Sequence, residues 1–325
     1  MVMALPSALQ NLRIPAVGAP LFIISNPDLV IAQCTAGIIG SFPALNARER
    51  EGEPIELERW LQRIREALDR HNQANPDRPA APFAVNQIVH RSNSRLERDL
   101  EICVRHEVPI MITSLGARKE VNDAAHSYGG ITLHDVTTDR YARKAIEKGA
   151  DGLIAVAAGA GGHAGTLSPF ALTQEIRQWF DGPLLLSGAI ASGNAILAAE
   201  AMGSDLAYIG SAFIATAEAN AVADYKQMIA ESGADDIVYT NFFTGIHGNY
   251  LKGSIRNAGL DPDNLGTSEA SIMNFDGDAA KVKTWKHIWG AGHGVGVVRD
   301  VSTVADVIDR LEREYRAARQ RFELA

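Results

Sequence analysis

The chain has 325 residues, 46% of them hydrophobic, enough to bury one large α/β core or two smaller ones. Aromatics make up only 6% while glycine reaches 29 residues, a mix suited to helices packed closely on a sheet. A formal net charge of −8 argues against a nucleic-acid footprint or a polybasic membrane surface, so any anionic ligand must be drawn by local groups.

The first residues, MVMALPSALQNLRIP, hold no basic leader followed by an apolar run, and no apolar stretch is long enough to span a bilayer. The expectation is a cytoplasmic protein. Eight short β-rich runs then follow: Pro15–Ala19, Gly37–Phe42, Pro82–Gln87, Val108–Thr113, Gly130–His134, Gly152–Val156, Pro183–Ser187 and Leu206–Gly210. Amphipathic helices fill the gaps, as in RWLQRIREALDRH (59–71), RLERDLEICVRH (95–106) and TTDRYARKAIEKGA (137–150). Runs such as GPLLLS are apolar throughout, which fits parallel strands buried on both faces. Cys34 and Cys103 have neither metal-site spacing nor a disulfide framework, and each sits in an apolar helical segment as an inert thiol. No metal site is expected.

Eight strand–helix units before residue 219 match an α/β fold of the (β/α)8 TIM-barrel type. A doubly wound open sheet is the rival, but no G-x-G-x-x-G follows the first strand. After Ala219 the rhythm changes. Residues 220–300 read as helices and Gly/Asn/Asp-rich loops, and 301–325 as a charged amphipathic helix. The expected organisation is a barrel over 1–219, a mostly helical lid over its mouth at 220–300, and a C-terminal helix packing back on the barrel.

In such barrels, function gathers where strands end, and phosphates often bind after strands seven and eight. Here those strands run into Ser187-Gly188-Ala189-Ile190 and Ile209-Gly210-Ser211-Ala212, small-residue turns whose backbone N–H groups are accessible to a phosphate. The sixth strand leads into AAGAGGHAGTLSP (157–169), where Gly159, Gly161 and Gly162 let a ligand approach the backbone and His163 is the one ionisable group. Elsewhere Ala19-Pro20-Leu21 offers a small surface for a ring. Asn86 and Gln87, and then Thr113 and Ser114, end the third and fourth strands with polar groups that could equally cap helices. His247, Tyr250, Lys252 and His293 lie in the lid segment as candidate pocket residues or helix caps, and Trp285 and Trp289 as aromatics available to a homodimer contact.

The runs GADGLIAVAAGAGGHAG, LLLSGAIASG and LAYIGSAFIAT, in that order, resemble the nitronate monooxygenases, formerly called 2-nitropropane dioxygenases. FAVNQ and TGIHGNYLKGSI extend the resemblance over most of the chain. The superfamily also holds flavin-dependent enoyl-acyl-carrier-protein reductases and NADH:quinone reductases. The resemblance implies an FMN-binding TIM barrel in which Asn86 touches the flavin, Gly161 lies beside its ring, and Gly188 and the Tyr208–Ser211 turn bind the phosphate. His163 takes the place of the catalytic base. Departures are Val156 and Gly159 where many relatives carry Gln and Glu, a first loop GAPLFIIS without Met, and Asp135 where some relatives place a lysine. The activity this implies is oxidation of alkyl nitronates, and of nitroalkanes, by O2 to a carbonyl compound and nitrite. The alternatives are an NAD(P)H-dependent FMN reductase of enoyl thioesters or quinones, and a non-redox barrel with a phosphate ligand.

Overall fold

A computed structural model describes residues 5–49, 55–267 and 287–323. Nine strands come first: β1 (Ala16–Gly18), β2 (Gly40–Pro43), β3 (Phe83–Ile88), β4 (Ile110–Ser114), β5 (Ile131–Val136), β6 (Gly152–Val156), the two-residue β7 (Gly162–His163), β8 (Leu184–Ser187) and β9 (Leu206–Ile209). All but β7 belong to one parallel sheet of order β1-β9-β8-β6-β5-β4-β3-β2. Its two edges meet at a parallel bridge between Val17 and Ile39, where the Gly18 N–H donates to the Ile39 carbonyl at 2.8 Å. The sheet is thereby closed as a barrel, and each of the eight strands falls where the sequence places it, give or take a few residues.

Side chains alternate across a strand, so every second residue faces the axis. Val17, Ile39, Ala84, Ile110, Ile112, Leu133, Ile154, Leu185 and Leu206 fill the interior as one apolar cluster. The opposite faces pack under α1 (Pro27–Thr35), α2 (Ile55–Ala74), α3 (Leu96–Arg105), α4 (Lys119–His126), α5 (Asp139–Glu147), α6 (Pro169–Arg177) and α7 (Gly193–Ala201). Several of these helices start on a side-chain cap just past a strand: Asn26 accepts from Leu29 N–H, Thr138 from Tyr141 N–H and Ser192 from Ala195 N–H. Cys34 and Cys103 are buried in α1 and α3, and burial pushes both thiols up to about 12, which leaves them unreactive.

Beyond the single turn α8 (Ser211–Ile214) come α9 (Ala223–Glu231), β10 (Ile237–Thr240), β11 (Gly248–Leu251), α10 (Lys252–Asn257) and α11 (Val304–Glu323). The two strands were not anticipated in a segment read as helices and loops. IVYT and GNYL are too short to show a period of two, and the glycine and asparagine of the second read as loop. They pair with β7 in an antiparallel sheet of order β10-β11-β7. α11 packs along α7 and α1, and Arg13 just before β1 holds it through Asp309 and Glu312. Trp285 lies outside the described residues. Trp289 is half-buried, with one face stacked on Tyr225 at 4.8 Å, so it is not the exposed aromatic the sequence suggests. No helix among the described residues is long and apolar enough to cross a membrane.

Candidate active site

Beyond the apolar layers of the barrel, the inward positions are Ala19, Pro43, Asn86, Ser114, Asp135, Val156, Ser187 and Tyr208. All of them line a cavity of about 2000 Å³ at the C-terminal end of the strands, and they form its floor. The floor is mostly small or apolar, with one polar chain across it. Asn86 Nδ2 donates to Ser114 Oγ at 2.7 Å, and Ser114 Oγ donates to Asp135 Oδ2 at 2.5 Å. The Leu115 N–H also reaches the Asp135 carboxylate, yet burial outweighs both donors and pushes this carboxyl up to about 6.

The wall above β6 is nearly bare backbone. Gly159, Gly162 and Gly188 hold φ of +87°, +67° and +141°, angles that a Cβ disfavours. A Cβ on Gly161 would stand 2.7 Å from Gly292 N. The loop is fastened from distant parts of the chain. Asn249 Nδ2 donates to the Ala160 carbonyl at 2.7 Å, Gly159 O accepts from Ala189 and His293 N–H, and Gly292 N–H donates to Ser211 Oγ at 2.8 Å. On the opposite rim, Asn46 ties down the loop after β1, donating to Leu21 O and Ser25 O and accepting from Ile23 N–H.

His163 ends the bare loop and is half-buried on β7, paired with Gly248 of β11. Its Nε2 lies 3.2 Å from Thr244 Oγ1, while the Thr244 hydroxyl donates to Ile246 O at 2.9 Å. Burial pushes His163 down to about 4, so the ring is neutral at physiological pH.

Most of the residues that the sequence singles out converge here. Ala19, Pro20, Leu21, Asn86, Gly161, Gly162, Ser187, Gly188, Ala189, Tyr208, Gly210 and Ser211 line the cavity together with His163 and His247, which stacks on Tyr239 at 5.1 Å. Four others stand outside the lining. Thr113 precedes the inward Ser114, so alternation turns it to the opposite face, where Oγ1 meets His134 Nδ1 at 2.6 Å. Tyr250 is buried edge-on against Phe243, Lys252 pairs with Asp263 at 3.6 Å, and the exposed His293 lies against Gly159. Asn46, Thr244 and Asn249, which also shape the site, are not singled out by the sequence, although the last two lie in the TGIHGNYLKGSI run that carries the resemblance. Among the described residues, no cluster of His, Cys, Asp and Glu could hold a metal ion.

A floor of small residues under a bare-backbone wall, at the mouth of a parallel barrel, suits an enzyme built around a large flat cofactor. The chain belongs to the nitronate monooxygenase family, whose profile matches residues 7–314, and so to the flavin-dependent oxidoreductases. It is 24% identical to a nitronate monooxygenase of Paraburkholderia phytofirmans, covering 92% of each chain. It is 27% identical over 61% of its length to the nitronate monooxygenase of Neurospora crassa, of which it spans 57%. Among solved structures, nitroalkane oxidase from Streptomyces ansochromogenes superposes with a TM-score of 0.78 at 24% identity, covering 97% of this chain and all 100% of that one. FabK from Thermotoga maritima superposes at 0.75 and 20% identity, covering 97% and 96%. At these identities the structural likeness establishes the shared fold.

Proposed function

We propose that the protein binds FMN and oxidises alkyl nitronates with O2 to a carbonyl compound and nitrite. One observation carries this reading: a bare-backbone wall, Gly159 to Gly162, runs directly into a neutral histidine on the same cavity. The residues present fit FMN. A side chain at Gly161 or Gly188 would strike backbone, and the N–H groups of Gly188 and Gly210 have no backbone acceptor among the described residues, leaving them to a phosphate. Bound FMN would supply the electron-accepting chemistry.

The chain's own residues orient the substrate and handle its proton. A nitronate is already deprotonated at carbon, so His163 has only to position it. For a neutral nitroalkane, His163 would take the α-proton, and a base held near 4 is poorly matched to a weak carbon acid. Nitronates are therefore the favoured substrates. Ile288, Trp289 and Ile246 add apolar cover that keeps water from the reacting pair.

The purified protein should be yellow and release FMN on denaturation, and it should form nitrite from a nitronate in air. A colourless protein that takes up no FMN overturns the reading. His163→Asn should lower turnover of a neutral nitroalkane by about 10²-fold or more and that of its preformed nitronate far less. Equal losses on both would remove the base role. A reductase of enoyl thioesters or quinones stays in play for one reason. The cavity exceeds the roughly 300–1,000 Å³ that a single ligand fills, leaving room for a second large molecule. Rapid anaerobic bleaching of the flavin by NADH would favour that alternative.

A further inference from the structure

The cavity floor holds a carboxyl that the proposed reaction leaves unused. Asp135 faces inward on β5, two residues past the core residue Leu133. Ser114 and the Leu115 N–H donate to it from β4 and the loop that follows. Asn86 on β3 reaches it only through Ser114. Val156 on β6 and Ser187 on β8 bring no charge, and Tyr208 on β9 is a phenol whose ionisation burial and Asp135 itself push far out of range. His134, its neighbour in sequence, hydrogen-bonds Thr113 and is neutral above about 4. His163, on the same cavity, is also neutral above about 4. The cationic residues of the cavity wall, Arg48, Arg63, Arg95 and Lys144, stand on helices and loops outside the floor layer. The floor therefore contains an ionisable acid and no cation to neutralise either that acid or an anionic ligand above it.

We propose that Asp135 is the proton store of the site: its carboxylate takes a proton from solvent when a ligand on the floor gains negative charge, and returns it when the charge leaves. This rests on the flavin reading above. Oxidation of a nitronate with one water to a carbonyl compound and nitrite would release two electrons and two protons; bound FMN taking both electrons and one proton, with the other proton released to solvent, would leave one negative charge in the cavity. A second proton from solvent then neutralises the carboxylate, forming the O–H of the Asp135 acid. When O2 takes the two electrons and leaves as hydrogen peroxide, with the flavin's proton and one from solvent, the negative charge is gone, the Asp135 O–H bond breaks and its proton returns to solvent. Burial already places the carboxyl close to the required range, up to about 6, and a like charge nearby raises it further. Asp135 is thus a positioning and charge-compensating residue, and the Ser114 and Leu115 donors hold it where the charge arises.

The test counts protons. FMN-loaded protein is reduced anaerobically with a stoichiometric reductant in weakly buffered solution at pH 7, and proton uptake is followed with an indicator dye, correcting for the protons of the reductant. The wild type should take up about two protons per electron pair and Asp135→Asn about one. Equal counts overturn the proposal. A second measurement is independent of any cofactor: the infrared difference between the cofactor-free wild type and Asp135→Asn should show a protonated-carboxyl band titrating near pH 6. A band already gone below pH 4.5 also overturns the proposal, whereas failure to load FMN with this band intact counts against the flavin reading alone.

Discussion

A Cβ at Gly161 would stand 2.7 Å from Gly292 N and 3.0 Å from both Ala291 C and Ser211 Oγ, the atoms that fix the loop against the C-terminal segment. Backbone gives way at a cost of about 1–3 kcal/mol, and relief requires displacing the loop toward the cavity. Gly161→Ala should therefore bind FMN at least tenfold more weakly, read by fluorescence titration, while its thermal midpoint falls only moderately. With His163 as the proposed base, its shift fixes the expected pH behaviour. Its base form persists down to about 4, so kcat/KM for a neutral nitroalkane should stay level from pH 8 to pH 5 and fall only toward pH 4. The sign for stability follows from the same shift. The unfolded chain protonates His134 and His163 near 6.5 and the folded chain near 4, so stability is full above 6.5 and is lost as the pH falls from 6.5 toward 4. Asp135 works oppositely between 3.8 and about 6, where the folded chain binds the extra proton. Melting curves at pH 7 and pH 5 should show the histidine loss, and His163→Gln should flatten it.

The element that delivers His163 is the small sheet of β7, β10 and β11, where two residues of the bare loop are gripped by a strand more than eighty residues later. The Asn249 side chain anchors it, its Nδ2 donating to Ala160 O across 89 residues of sequence. Asn249→Ala would leave that buried carbonyl without its donor, costing about 1–3 kcal/mol. The expected outcome is a lower melting temperature and a kcat that falls more than FMN affinity does, because the loop's orientation suffers more than its backbone surface. Unchanged kcat in the variant would show that β7 does not depend on this anchor.

At the scale of the molecule, barrel and C-terminal segment share one cavity. Phe243 to His247, Ile288 to Gly290 and Gly292 line it with the strand ends, so a ligand bound there would bridge both parts of the chain. FMN at a hundred times its dissociation constant should then stabilise the fold by about 2.7 kcal/mol and raise the melting temperature by several degrees. A melt unmoved by saturating FMN would contradict the proposed cofactor. The C-terminal helix closes the arrangement from outside, pairing Asp309 and Glu312 of α11 with Arg13 at the entrance to β1.

The sequence by itself determined the eight parallel strands, the amphipathic helices between them, and the small-residue turns at the strand ends. These are local signals: an apolar run, a helical period, a glycine where a ligand must approach the backbone. It also singled out AAGAGGHAGTLSP, because a loop with one ionisable group among glycines and alanines is conspicuous in any chain. Only the tertiary structure decided that Thr113 turns away while Ser114 faces in, since strand register fixes which of two adjacent polar residues meets the axis. Only it showed Thr244 against His163 across 81 residues, Asn249 under Ala160, and Asp135 alone on an uncharged floor. Burial and long-range hydrogen bonds set the protonation of His163 and Asp135. Those quantities depend on which distant segments pack around a side chain, and no local pattern of residues encodes them.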